Sequence, residues 1–124
     1  MSDSSGVSKI PLQVLRGCIV ASIQIDLSGE VLRQFQKDLL ALLQSTGATG
    51  VILEVSGVEI LDLEDFNALR RTTQMAAIMG ARTIMVGLQS GVVSSLVTLG
   101  VDIEEIHGAL SFEDAFLRMG RLGS

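Results

Sequence analysis

The chain has 124 residues and a formal net charge of −5, with 48% hydrophobic but only 3% aromatic residues. One domain with an aliphatic core is the natural reading. Nucleic-acid binding is disfavoured, because phosphate contacts need a basic face and base stacking needs aromatics.

Met1–Ser8 is small and polar and is expected to be a disordered lead-in without the apolar core of a signal segment. Ile10–Leu15 reads as a first strand, with Pro11 suited to a strand start or an edge. Arg16-Gly17 marks a turn, and Cys18–Gln24 reads as a second strand, so the two should pair as an antiparallel hairpin. Cys18 is the only cysteine, which excludes an internal disulfide and fits a reducing cytoplasm; inside an apolar strand it reads as a buried, inert thiol.

Ser28 can cap a long helix that ends near Gly47, with Val31, Leu32, Phe35, Leu39, Leu42 and Leu43 on one stripe. Val51–Val55 is a third strand, apolar on both faces except at Glu54, and so expected at the centre of a sheet. Asp62 can cap a second helix that runs to Met79 and stops at Gly80. Thr83–Gly87 is a fourth strand, and Ser90 a cap for a third helix, Gly91–Leu99. Val101–Ile106 is expected to add a short extended piece, and Ser111 to open a capping box for a last helix. The order β-β-α-β-α-β-α-(β)-α predicts an α/β fold, a mixed sheet with helices on one main face and right-handed crossovers. No run reaches the about 20 apolar residues that a membrane span needs, so a soluble cytoplasmic protein is expected.

Chemistry is hard to build from this chain. Neither a Walker-type nor a dinucleotide-type glycine motif is present. One His and one Cys cannot form a structural zinc site, and His107 reads as a solvated loop residue. No Gly-x-Ser-x-Gly elbow presents a nucleophile. The only lysines are Lys9 and Lys37, both early, so a phosphoacceptor receiver, which needs a late Lys, is rejected. What remains is the segment Val51–Phe66, where a strand runs through Ser56-Gly57 into the start of a helix carrying Asp62, Leu63, Glu64 and Asp65. These acids serve either the helix dipole and solubility or a recognition surface. A phosphate on Ser56, Ser90, Ser94 or Ser95 would add about −1.5 to −2 charge beside them. Their ordinary roles are a turn residue, a cap and a small-residue helix face. A mean hydropathy of +0.50 suggests apolar surface awaiting a partner, and so self-association.

The element order and several segments resemble the STAS domain of sulfate transporters and anti-sigma-factor antagonists. The segments are Lys9–Leu15 with Cys18–Gln24, Phe35–Leu40, Thr46–Ile52, Val51–Asp62, Met79–Arg82, Val86–Gln89 and Leu99–Ile106. The opening strands are similar to the RsbS type, the scaffold subunit of the bacterial stressosome. The resemblance implies one STAS domain over residues 9–124, no enzymatic activity and no cofactor. It also implies assembly with sensor STAS paralogues around a switch serine/threonine kinase of the histidine-kinase-like ATPase fold, released by phosphorylation.

In that family the phosphorylated Ser directly follows the Asp at the second-helix start. Here Leu63 follows Asp62. A Thr site of the sensor paralogues falls on Ser95, making Ser95 the first candidate for phosphorylation and Ser56 the second. Leu63 then marks a scaffold that is never switched, a switch moved to Ser95 or Ser56, or fixed Glu64–Asp65 charge imitating phosphate. A one-to-one anti-sigma-factor antagonist and a small-ligand or nucleotide sensor are the rival functions.

Overall fold

The computed structural model describes residues 9–101 and 107–123. The expected lead-in at Met1–Ser8 and most of the extended piece expected at Val101–Ile106 lie outside the described residues. Within them the chain forms β1 (Leu12–Leu15), β2 (Cys18–Ser22), α1 (Gly29–Thr46), β3 (Gly50–Glu54), α2 (Leu63–Ile78), β4 (Arg82–Val86), α3 (Ser90–Thr98), β5 (Gly108–Ala109) and α4 (Phe112–Gly123).

The described strands make one sheet in chain order, β1-β2-β3-β4-β5. β1 and β2 pair antiparallel, and every later pair is parallel. The hairpin turn puts both Arg16 (φ 54°) and Gly17 (φ 75°) in the left-handed region, as a two-residue hairpin loop requires. The Arg16 guanidinium lies 4.9 Å from the centre of the Phe116 ring, a contact that helps offset the strain of a non-glycine residue there. β1 is shorter than the sequence suggests. Pro11 has no N–H for the ladder, so pairing begins at Leu12, while Ile10 is buried in the core.

Strand alternation divides the core in two. Ile19, Ala21, Val51, Leu53 and Met85 face α1, α2 and α3, where Leu32, Phe35, Leu39, Phe66, Leu69, Val92 and Leu96 close over them. Cys18, Val20, Ile52, Ile84 and Val86 face the other way, onto Ala115 and Met119 of α4. The helices are thus three on one face and one on the other, rather than confined to a single main face. Truncating one of the fully buried aliphatics, such as Leu39 or Leu53, to Ala would cost about 2–5 kcal/mol.

Gly50, at the start of β3, is where the second layer packs tightest. A Cβ there would sit 2.8 Å from Met119 Sδ and 2.9 Å from Cys18 Sγ. Cys18 is correspondingly buried, and burial pushes its thiol pKa up, so it behaves as an apolar filler.

Candidate functional site

The parallel arrangement sends the C-terminal ends of β2, β3 and β4 to one edge of the sheet, so α1, α2 and α3 all begin there. Side chains tie this rim together. Glu54, at the end of β3, accepts the Gln24 amide at Oε1 (3.0 Å) and the Ser56 N–H at Oε2 (2.9 Å). From the other side, Gln89 Nε2 donates to the Ser56 carbonyl at 2.6 Å. Gly87 (φ 83°) lets the β4–α3 loop approach: a Cβ there would lie 2.9 Å from Ser56 Cβ and 3.1 Å from Glu54 Oε2. The Ser56-Gly57 turn is therefore gripped by the loops on both sides.

Gln89 also corrects the expected start of α3. It occupies the N-cap position, and its side chain makes no cap bond, being used on Ser56 instead. Ser90, expected as the cap, is the first helical residue. The helix starts one residue early because the Gly87 turn has already aligned the chain, and Val93 N donates to Gln89 O at 3.0 Å.

After the turn, Val58 and Leu61 are buried while Ile60 between them is 85% exposed. Asp62 caps α2 as expected: its backbone is extended, and Oδ1 accepts the Asp65 N–H at 2.8 Å. Leu61 before the cap and Phe66 one turn later share the same core, as in a hydrophobic staple. Leu63 is the first helical residue and is 39% exposed, which leaves an aliphatic side chain where the helix start meets solvent. Glu64 is exposed and Asp65 half-buried. Partial burial raises the Asp65 carboxyl pKa above its ordinary value, and the Asp62 charge, a hydrogen bond with Asp62 and the Glu64 charge add to the rise. Among the described residues Asp65 makes no ion pair, so the three acids form a mutually repelling group.

Of the expected site residues, the fold brings Asp62, Leu63, Glu64, Asp65 and Ser56 to one rim. Ser95 lies elsewhere. It is exposed in the second turn of α3, about 7.5 Å along the helix axis from its start, and its carbonyl accepts the Leu99 N–H. Sequence reasoning did not single out Ile60, Gln24 or Gln89. The two amides have no local signature, because their partners lie 30 and 33 residues away. No described helix is long and apolar enough to cross a membrane.

No protein-family model matches the sequence. A search of curated proteins finds no significant sequence match. Solved structures do match. A serine-to-glutamate variant of Moorella thermoacetica RsbS superposes with a TM-score of 0.78 at 20% identity, covering 91% of this chain and 96% of that one. A chain from the molecular architecture of the stressosome, a signal integration and transduction hub, matches with a TM-score of 0.77 at 20% identity, over 90% and 97% of the two chains. An anti-sigma-factor antagonist (STAS) domain protein from Planctomyces limnophilus matches with a TM-score of 0.73 at 19% identity, over 91% and 99%. Likeness at this level of identity establishes architecture: the chain has the fold of a STAS domain, in the form shared by RsbS and anti-sigma-factor antagonists.

Proposed function

We propose that residues 9–124 act as one STAS domain serving as a non-enzymatic scaffold or regulatory subunit of a stressosome-type assembly in the cytoplasm. In this reading the chain packs with sensor STAS paralogues and with further copies of itself. The rim at Asp62, Leu63, Glu64 and Asp65 meets a partner, a switch serine/threonine kinase of the histidine-kinase-like ATPase fold. The observation that carries the reading is Leu63, 39% exposed at the first position of α2 directly after the capping Asp62.

Phosphate at a helix start gains from the unpaired N–H groups and the dipole, yet here it would face three fixed carboxylates. Leu63 accepts no phosphate, so the start of α2 presents one constant surface. A covalent switch, where one operates, falls to Ser95 or Ser56, both exposed. Ser56 is the more consequential of the two geometrically, because a phosphate there would crowd the Glu54 carboxylate that holds its own N–H.

The test co-expresses the chain with its STAS paralogues and kinase and sizes the product by light scattering. A megadalton particle is expected, and a strict monomer under all combinations would overturn the scaffold reading. Intact-mass measurement after incubation with kinase and ATP should show no phosphate at residue 63, and phosphate only on Ser95 or Ser56. Leu63→Ser should add one phosphorylation event. The likeness to the Planctomyces antagonist supports one alternative, a one-to-one antagonist. A small stoichiometric complex with one kinase would select it.

A further inference from the structure

The two edges of the sheet are unequal. β5 is only two residues long, Gly108–Ala109, and so offers little to an incoming strand. β1 pairs with β2 over four consecutive residues without a bulge, and among the described residues no strand pairs with its other side. Edge strands are ordinarily blunted by a Lys, a proline or a bulge. Leu12-Gln13-Val14-Leu15 carries none of these, and Pro11 lies just before the paired stretch. Val14 and Leu15 are 47% and 43% exposed. In a hairpin closed by a two-residue loop, the residues flanking the loop exchange both backbone bonds, so Leu15 and Gln13 bond to β2. The N–H and C=O groups of Leu12 and Val14 therefore point outward from the edge.

Beside this edge the sheet is only partly roofed. α4 packs over β3, β4 and β5, and a cleft of about 510 Å³ remains between it and β1. The cleft carries opposite charges at its two ends. Arg16, in the hairpin turn, stands at the end where the parallel strands start, and Glu113, in the first turn of α4, stands at the rim end, just after β5. Neither makes an ion pair among the described residues. Gln13 lies on the same face, exposed, with a side chain that both donates and accepts. A two-fold axis normal to the sheet reverses the strand and the charges together. Arg16 of a second copy then comes to the Glu113 end of this cleft, and Glu113 of that copy to the Arg16 end.

We propose that two copies of this chain join through β1, antiparallel and edge to edge, so that their two sheets run on as one. The axis passes between the two Gln13 residues. Leu12 of each copy faces Val14 of the other and exchanges both backbone bonds with it, and the two Gln13 amides meet across the axis. A second copy fits this edge better than an unrelated strand does, because the outward backbone groups and the end charges both repeat in the order a two-fold requires. The proposal rests on the reading that the chain packs with further copies of itself, and it names the surface they use.

The test follows the pure full-length chain by sedimentation and by amide hydrogen exchange. A concentration-dependent dimer is expected, with the Leu12 and Val14 amides gaining protection as it forms. Gln13→Lys and Gln13→Glu, at an exposed position, each set like charges opposite one another across the axis and should weaken the dimer about tenfold. An equal mixture of the two variants should restore it, because the axis then holds one charge of either sign. Gln74→Lys, exposed on α2, should leave the dimer unchanged. A monomer up to about 1 mM chain, a dimer that leaves those two amides unprotected, no restoration in the mixture, or an equal loss with Gln74→Lys would overturn the edge. A pure chain that stays monomeric yet enters a particle with its paralogues sinks this inference alone, and a β1-paired dimer that enters no particle sinks the scaffold reading alone.

Discussion

The two ends of the sheet are held together by different chemistry. At the end where the parallel strands start, the bonds between neighbouring connections are backbone to backbone: Thr49 N donates to Gly17 O and Arg82 N to Thr49 O, each at 3.1 Å. The helices stop there at Gly47, Gly80 and Gly100, all in the left-handed region, with no basic residue in the last turn of α1, α2 or α3. Ile78, Met79 and Leu99 stand exposed around them. At the opposite end the loops are joined by side chains, Gln24 to Glu54 and Gln89 to Ser56, and the surface is acidic. The difference teaches where sequence can change. Backbone bonds survive most substitutions. The rim has them too, from Ile23 N to Glu54 O and from Val55 N to Val86 O, but its two side-chain ties can each be altered by one mutation without rebuilding the sheet.

A matched pair of glycine substitutions should separate the two ends most strongly. Gly80→Ala and Gly87→Ala both force a side chain into the left-handed region. A Cβ at Gly80 meets nothing within 4 Å, while one at Gly87 strikes Ser56. Urea denaturation should show a loss of about 1 kcal/mol for the first and about 3 kcal/mol or more for the second. Equal losses would mean that the rim loops yield freely and are not gripped.

A smaller effect is expected at the cap. Asp62→Ala should cost about 1 kcal/mol, and Asp62→Asn much less, because Asn caps nearly as well. The same denaturation measurement separates them, and a large loss for both would show that the charge of Asp62, rather than its hydrogen bond, matters to the fold.

The finest effect is on protons. The Asp65 carboxyl should titrate above its ordinary value of 3.8, followed by carboxyl-carbon NMR. Asp62→Asn should bring the midpoint down by removing one repelling charge. Since the folded chain holds the Asp65 proton more tightly than the unfolded chain, it binds more protons in the window between the two pKa values. The Asp65 contribution to stability therefore falls as pH rises through that window. A midpoint at or below the ordinary value would show that the rim acids are relieved by a base.

Much of this was legible along the chain. Ser28, Asp62 and Ser111 are caps because each precedes an apolar helical stripe, and their hydroxyl or carboxylate oxygens accept the N–H three residues on. The acids and Leu63 at the rim could be listed because they are consecutive. The rest depends on distant partners. β3 begins at Gly50 rather than Val51 because Gly50 pairs with both Cys18 and Arg82 across the ladders. The start of α3 is not legible locally, because the Gln89 side chain at the cap position is used on a partner 33 residues away.

The crowding at Gly50 has a practical consequence. The sole thiol, Cys18, is 4% exposed and roofed by Met119 of α4. A thiol reagent can reach it only when α4 lifts from the sheet or the whole chain unfolds. Its labelling rate is therefore a built-in clock for that one helix. Comparing the rate with global unfolding would tell whether the single-helix face breathes on its own, and whether packing into a larger particle stops it.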